Sequence, residues 1–193
     1  RCCDGGWETF TIDATGDVGA WARIAVDGQG NAHAAWLDNG LHSVRVGSNT
    51  AMDRGAWTVL TEPPPGPLWY GGSMLSLGVD DAGTRHLLYL SENTGDANYG
   101  RHDGSGWTAS PVGFAFTGTL AVAPNGVAHI VTASGSSRQY QFRDGTAGTC
   151  PSATADSALQ AMTTDAQGRA HFIDWDGPIR YFAQGPDCDL DSP

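Results

Sequence analysis

The sequence predicts an all-β chain folded as a four-bladed β-propeller. Two observations carry that prediction. The segment Val26–Trp36, VDGQGNAHAAW, returns as VDDAGTRHLLY (Val79–Tyr89), VAPNGVAHIVT (Val122–Thr132) and TDAQGRAHFID (Thr164–Asp174). The second is the spacing of these copies: their histidines recur every 42 to 53 residues, close to the length of one four-stranded blade. Each copy keeps a Gly three residues before its His, giving the pairs Gly30/His33, Gly83/His86, Gly126/His129 and Gly168/His171. Three copies also hold an Asp six residues before the His (Asp27, Asp80, Asp165), and Ala123 stands at that place in the third.

Each repeat parses into strands A to D. Strand A carries larger residues on one parity (Ile24/Val26, Leu77/Val79, Leu120/Val122, Met162/Thr164) and small ones on the other (Ala25, Gly78, Ala121, Thr163). Period-two alternation means a strand. The larger set is expected between blades, the small set toward a crowded axis. The Asp-x-x-Gly segment is the A–B turn. There Gly supplies a positive φ and Asp binds its own downstream backbone. Strand B follows the turn, then a polar loop, strand C (LHSVRVG, NYGRHDG, RQYQFRDG, IRYFAQG), a Gly-rich turn, and strand D beginning near Trp57, Trp107 or Cys150. The first repeat is longer because of insertions on either side of Trp57.

The last repeat reaches strand C over Ile179–Gly185, and the N-terminal CCDGGWETFTI has the look of a strand D. Trp7–Ile12 is therefore expected to complete the last blade and close the ring, leaving no open sheet edge. The alternative is four blades of a larger ring. Cys188 follows the last strand C, and Cys2 and Cys3 precede the N-terminal strand. A bridge from Cys188 to one of them would replace the missing C–D loop, and Cys150 could take the other; Cys2–Cys3 with Cys150–Cys188 is the second pairing. Four cysteines so placed favour an oxidising setting, extracellular or periplasmic.

Composition narrows the partners. The net charge of −11 opposes binding to nucleic-acid phosphates or anionic lipid headgroups. No apolar run approaches the ~20 residues that span a bilayer. The four repeat histidines, on separate blades, are expected to be structural hydrogen-bonders rather than a metal cluster. No metal site or cofactor motif is present, with a structural cation such as calcium left open.

At the level of Asp-x-x-Gly-x-x-His, the chain over residues 22–185 resembles a broad group of bacterial secreted β-propellers. The motif is similar at a distance to the Asp-box of sialidases, which reads Ser-x-Asp-x-Gly-x-x-Trp. The spacing from Asp27 to Gly30 differs from the Asp-box, and His replaces Trp, so sialidase activity is not carried over.

The candidate site is the end of the propeller where D–A connections and B–C loops meet. Trp21, Trp69 and Tyr70 fall in or beside D–A connections, and Asp38, Asn39, Asn93, Arg138 and Arg180 fall on the same face, as do Phe114 and Phe116. Aromatics among carboxamides and charges suit sugar rings or peptide segments. No Gly-x-Ser-x-Gly elbow, Walker loop or His-Glu-x-x-His is present, and short loops build a shallow site better suited to binding than to water-excluding chemistry. The leading expectation is a secreted, non-enzymatic recognition module for a glycan or protein surface. A structural subunit that assembles with copies of itself or a partner protein is the second, and a small polysaccharide lyase or glycosidase the third.

Overall fold

The computed structural model describes residues 8–60, 74–91, 95–134, 137–143, 147–149, 158–175, 179–184 and 190–191. Among these residues there is no helix, and sixteen strands form four separate four-stranded antiparallel sheets. The first sheet holds β1 (Val18–Val26), β2 (Ala32–Asp38), β3 (Ser43–Thr50) and β4 (Asp53–Val59). β5 (Leu75–Val79), β6 (Arg85–Leu90), β7 (Asp96–His102) and β8 (Trp107–Phe114) form the second. The third comprises β9 (Thr117–Val122), β10 (Ala128–Ser134), β11 (Ser137–Arg143) and β12 (Ala147–Thr149). The fourth comprises β13 (Ala158–Thr164), β14 (Ala170–Trp175), β15 (Ile179–Gln184) and β16 (Leu190–Asp191). Each is a meander of one sequence repeat, the construction of a propeller blade.

The repeat motif sets the A–B turn. Gly30, Gly83, Gly126 and Gly168 all have φ between +79° and +88°, a region side chains other than glycine avoid. The preceding Asp caps the turn: Asp27 Oδ1 accepts the amides of Gln29 and Asn31, and Asp80 and Asp165 do the same for their own turns. The turns also stack from blade to blade. A Cβ at Gly126 would lie 3.0 Å from Asp80 Oδ2, and one at Gly83 would lie 3.5 Å from Asp27 Oδ2. The glycine thus serves twice, as a bend and as a seat for the neighbouring turn.

Three apolar seams join the blades. Ala35, Val44 and Val46 of the first sheet pack on Leu75, Leu77, Leu87 and Tyr89 of the second. Leu88, Leu90 and Tyr99 of the second meet Leu120 and Ile130 of the third. Val131 and Tyr140 of the third meet Ala170, Phe172 and Phe182 of the fourth. First strands pack in succession, β1 on β5, β5 on β9 and β9 on β13. Hydroxyls stitch them together: Ser76 Oγ accepts the Leu120 amide at 3.2 Å, and Thr164 Oγ1 donates to the Val122 carbonyl at 3.1 Å.

Two expectations need correction. The small residues of strand A do not face an axis. A Cβ at Gly78 would come within 2.4 Å of Val122 Cγ2 and 2.9 Å of Leu120 Cδ1. The two parities of strand A therefore face the two neighbouring blades, and Gly78 lets β5 and β9 approach closely. The second correction concerns the last blade. Its fourth strand is β16, with Ala183 opposite Asp191 and Gln184 opposite Leu190, not the N-terminal Trp7–Ile12. Residues 8–12 form no strand. Phe10 instead rests against Gly55 of the first sheet, and Asp13 is paired with Arg45 at 2.9 Å. An apolar side chain near a β-sheet is drawn to whichever face is uncovered, and the outer face of the first blade is closer in the chain. Trp7 itself, with Cys2, Cys3, Cys150 and Cys188, lies outside the described residues.

The end faces differ from the seams. Ile24 and Val26 hold the register places of Leu77 and Val79 yet are 68% and 61% exposed, whereas Leu77 is 9% exposed. On the far side of the fourth blade Ile179 is 77% exposed. Among the described residues no seam of the kind that joins β9 to β13 joins β13 to β1.

Candidate functional site

Two features compete for a functional reading: the repeated histidines and the loop end. His33 Nε2 lies 3.1 Å from Asp27 Oδ2, and its Nδ1 accepts a hydrogen bond from Arg85 Nε of the next blade at 3.1 Å. Arginine can only donate, so Nδ1 is unprotonated and Nε2–H points at the carboxylate. In the other three blades a tyrosine of strand C takes the arginine's place. The Tyr99 hydroxyl is 2.6 Å from His86 Nδ1, Tyr181 is 2.6 Å from His171 Nδ1, and Tyr140 pairs with His129. Burial pushes His86 down to about 4, and His33 and His129 are lowered by the same cause. Burial also raises Tyr99 to about 12. Burial alone would raise the Asp27 carboxyl, but hydrogen bonds from Asn31, His33 and the Gln29 amide hold it at about 2. His33, His86 and His129 are buried imidazoles on three separate blades, and burial favours their neutral form. Among the described residues no cluster of three or more His, Cys, Asp or Glu could hold a metal.

At the loop end the candidate residues separate. Trp21 stands in a bulge of β1, where the pairing shifts between Ala20 and Arg23. Its φ is +53°, an unusual value for a bulky residue, and the ring is half-exposed. Bulges re-aim side chains, and this one presents an indole to solvent. Asp38 is buried and fully engaged: Oδ2 accepts from Arg45 Nε at 2.7 Å and Oδ1 accepts the Leu41 amide at 2.9 Å. Asn39 is tied to Asp17, donating from its amide to the Asp17 carbonyl at 2.9 Å and from Nδ2 to the carboxylate at 3.3 Å. Both residues brace the first blade's loops. Arg138 and Arg180 start the C strands beside the B–C loops, opposite Ala133 and Asp174. Trp69, Tyr70 and Asn93 lie outside the described residues.

The strongest construction at this end is the aromatic pair Phe114 and Phe116. Phe114 ends β8 and Phe116 follows two residues later; both are half-exposed, with ring centroids 5.0 Å apart at 78°. The edge-to-face pair is worth about 1 kcal/mol. Phe114 lies over Gly95, whose φ is +68° and whose added Cβ would be 3.1 Å from the ring. Phe116 is anchored through its amide to the Ala133 carbonyl of the third blade at 2.9 Å. The aromatic pair thus caps the seam between the second and third blades. The Phe-x-Phe alternation around Ala115 was the readable signal: a buried Ala flanked by two large apolar residues at a strand end leaves both rings outside.

No family model matches the sequence, and no curated protein is similar to it in sequence. Similar solved structures exist. Virginiamycin B lyase from Staphylococcus aureus is 12% identical, with a TM-score of 0.59 over 88% of this chain and 54% of the lyase. AofleA from Arthrobotrys oligospora is 13% identical, with a TM-score of 0.58 over 89% of this chain and 56% of that one. The NanB sialidase from Streptococcus pneumoniae is 9% identical, with a TM-score of 0.51 over 77% of this chain and 26% of that one. The chain spans a little over half the length of the first two. At these identities the likeness defines the fold: four antiparallel sheets arranged as the blades of a β-propeller.

Proposed function

We propose that this chain is a non-enzymatic recognition module that binds glycans through its loop end, in an extracellular or periplasmic setting. The observation that supports it is the presence of Trp21, Phe114 and Phe116, three half-exposed aromatic rings on the end formed by D–A connections and B–C loops. Apolar rings exposed to water on loops carried by a rigid scaffold form stacking platforms for the C–H faces of sugars. Trp69 and Tyr70, in the long insertion of the first repeat, belong to the same proposed surface. Arg138, Arg180 and Asn93 would supply polar contacts from neighbouring loops. A net charge of −11 turns the surface toward neutral or cationic ligands rather than polyanions.

The test is a glycan array followed by titration calorimetry on the best ligand. Replacing Phe114 and Phe116 together by Ala should weaken binding about tenfold or more while the melting temperature stays within a few degrees. Trp69→Ala should do likewise. Absence of any bound glycan, or binding indifferent to these changes, overturns the reading. Turnover of a polysaccharide panel would overturn its non-enzymatic part.

A further inference from the structure

We propose that the outer faces of the first and fourth blades are docking faces for each other across two copies of this chain, closing a ring of eight blades. The outer face of the fourth blade repeats what the second and third blades bury. Its His171–Tyr181 pair matches His86–Tyr99 and His129–Tyr140, and Ile173 holds the register place of Leu88 and Val131. In the inner blades that face is covered by the first strand of the following blade, through Leu120 or Met162. Among the described residues the first strand left uncovered is β1, which offers Ile24 and Val26 at the same register. The two faces are therefore the two halves of one seam. They differ in kind, so they meet head to tail, and a head-to-tail contact closes when the rotation per copy divides the circle. The rotation is set by blade packing. The match covers 54% of the lyase chain and 56% of the AofleA chain, so two copies of this chain span about the length of one such propeller chain. Phe10 and Ile12 border the first face around a cleft of about 400 Å³ but leave Ile24 and Val26 open.

The experiment is sedimentation velocity across a micromolar concentration series, on the whole chain and on Ile24→Asp and Ile179→Asp. Both sites are exposed, so each variant should keep its melting temperature as a monomer, which a thermal scan verifies. The unchanged chain should sediment as a dimer of twice 20.2 kDa, and each variant alone as a monomer, because each carries the altered face in both seams. Mixing the two variants should restore a dimer, since one seam then pairs unaltered Ile179 with unaltered Ile24. A monomeric unchanged chain would overturn the proposal and leave the faces to additional blades in covalent continuity. Loss of the dimer in one variant only would mean a face-to-like-face contact, and masses that grow with concentration would mean an open fibre; either overturns the closed ring.

Discussion

The seam between the second and third blades and the outer face of the first blade are built from the same repeat, yet only one is dry. Leu120 and Val122 press against Gly78 at the seam, while Ile24 and Val26 hold the same places on a face that looks into solvent. The difference teaches that blade-facing positions acquire their energy from the neighbour and not from the strand that bears them. A fully buried leucine contributes about 2 kcal/mol, and the same side chain on an uncovered face contributes little. A propeller is quasi-one-dimensional in this respect: each unit is stabilised by the interface it shares.

The largest expected effect exploits that contrast. Leu88→Ala, at a fully buried seam position, should lower unfolding free energy by about 3 kcal/mol. In the Ile24→Asp background, where no second copy covers the fourth blade, its register equivalent Ile173→Ala should cost about 1 kcal/mol or less. Urea denaturation of both variants measures the gap, and equal losses would break the comparison.

Acid should act on the seams next. His86 is held at about 4 by burial, against 6.5 when unfolded. Between pH 6.5 and 4 the unfolded chain takes up a proton that the folded chain refuses, so stability is lost as pH falls through that window and is flat in this group below it. The loss is roughly 3 kcal/mol at most for His86. His33 and His129, lowered by burial, add in the same direction. Asp27, held at about 2 against 3.8, contributes stability above pH 3.8 that disappears as pH falls toward 2. His86→Gln should lose stability at neutral pH but show a shallower decline from pH 6.5 to 4. An unchanged slope would remove His86 from the account.

A glycine comparison sharpens the point about close approach. Gly78→Ala should cost about 2 kcal/mol through overpacking against Val122. Gly30→Ala, which meets only Ala51 at 3.5 Å, should cost about 1 kcal/mol from its positive φ. The smallest effect concerns the loop end. Gly95→Ala strains a φ of +68° and displaces the Phe114 ring, so ligand affinity should fall further than the small change in melting temperature implies.

The sequence made the blades readable because one short motif does several jobs at once. Asp27 and Gly30 encode a capped turn of fixed geometry, and His33 encodes the strand that follows. Strand pairing at the end of the chain was not readable. Whether β15 pairs with Trp7–Ile12 or with β16 depends on which edge lies nearest in space, and both segments carry suitable residues. The surroundings of Gly78 are hidden for a similar reason: alternation reveals two faces but not what each face meets. At the loop end, Asp38 and Asn39 read as contacts because they are polar and near a loop, whereas Arg45 and Asp17 already engage them. Trp21 was readable as an exposed aromatic, but the bulge that turns it outward has no sequence signature.

Hydrogen exchange tests the contrast between seam and outer face most directly. β1 and β5 are both first strands with a single hydrogen-bonded neighbour, so their amides compare like with like. The measurement uses Ile24→Asp, in which no second copy covers β1. Amides of β5 should exchange near the global unfolding rate, and those of β1 orders of magnitude faster through local opening. Equal protection of β1 and β5 would mean that another part of the same chain covers the first blade, and the account of an open outer face would be wrong.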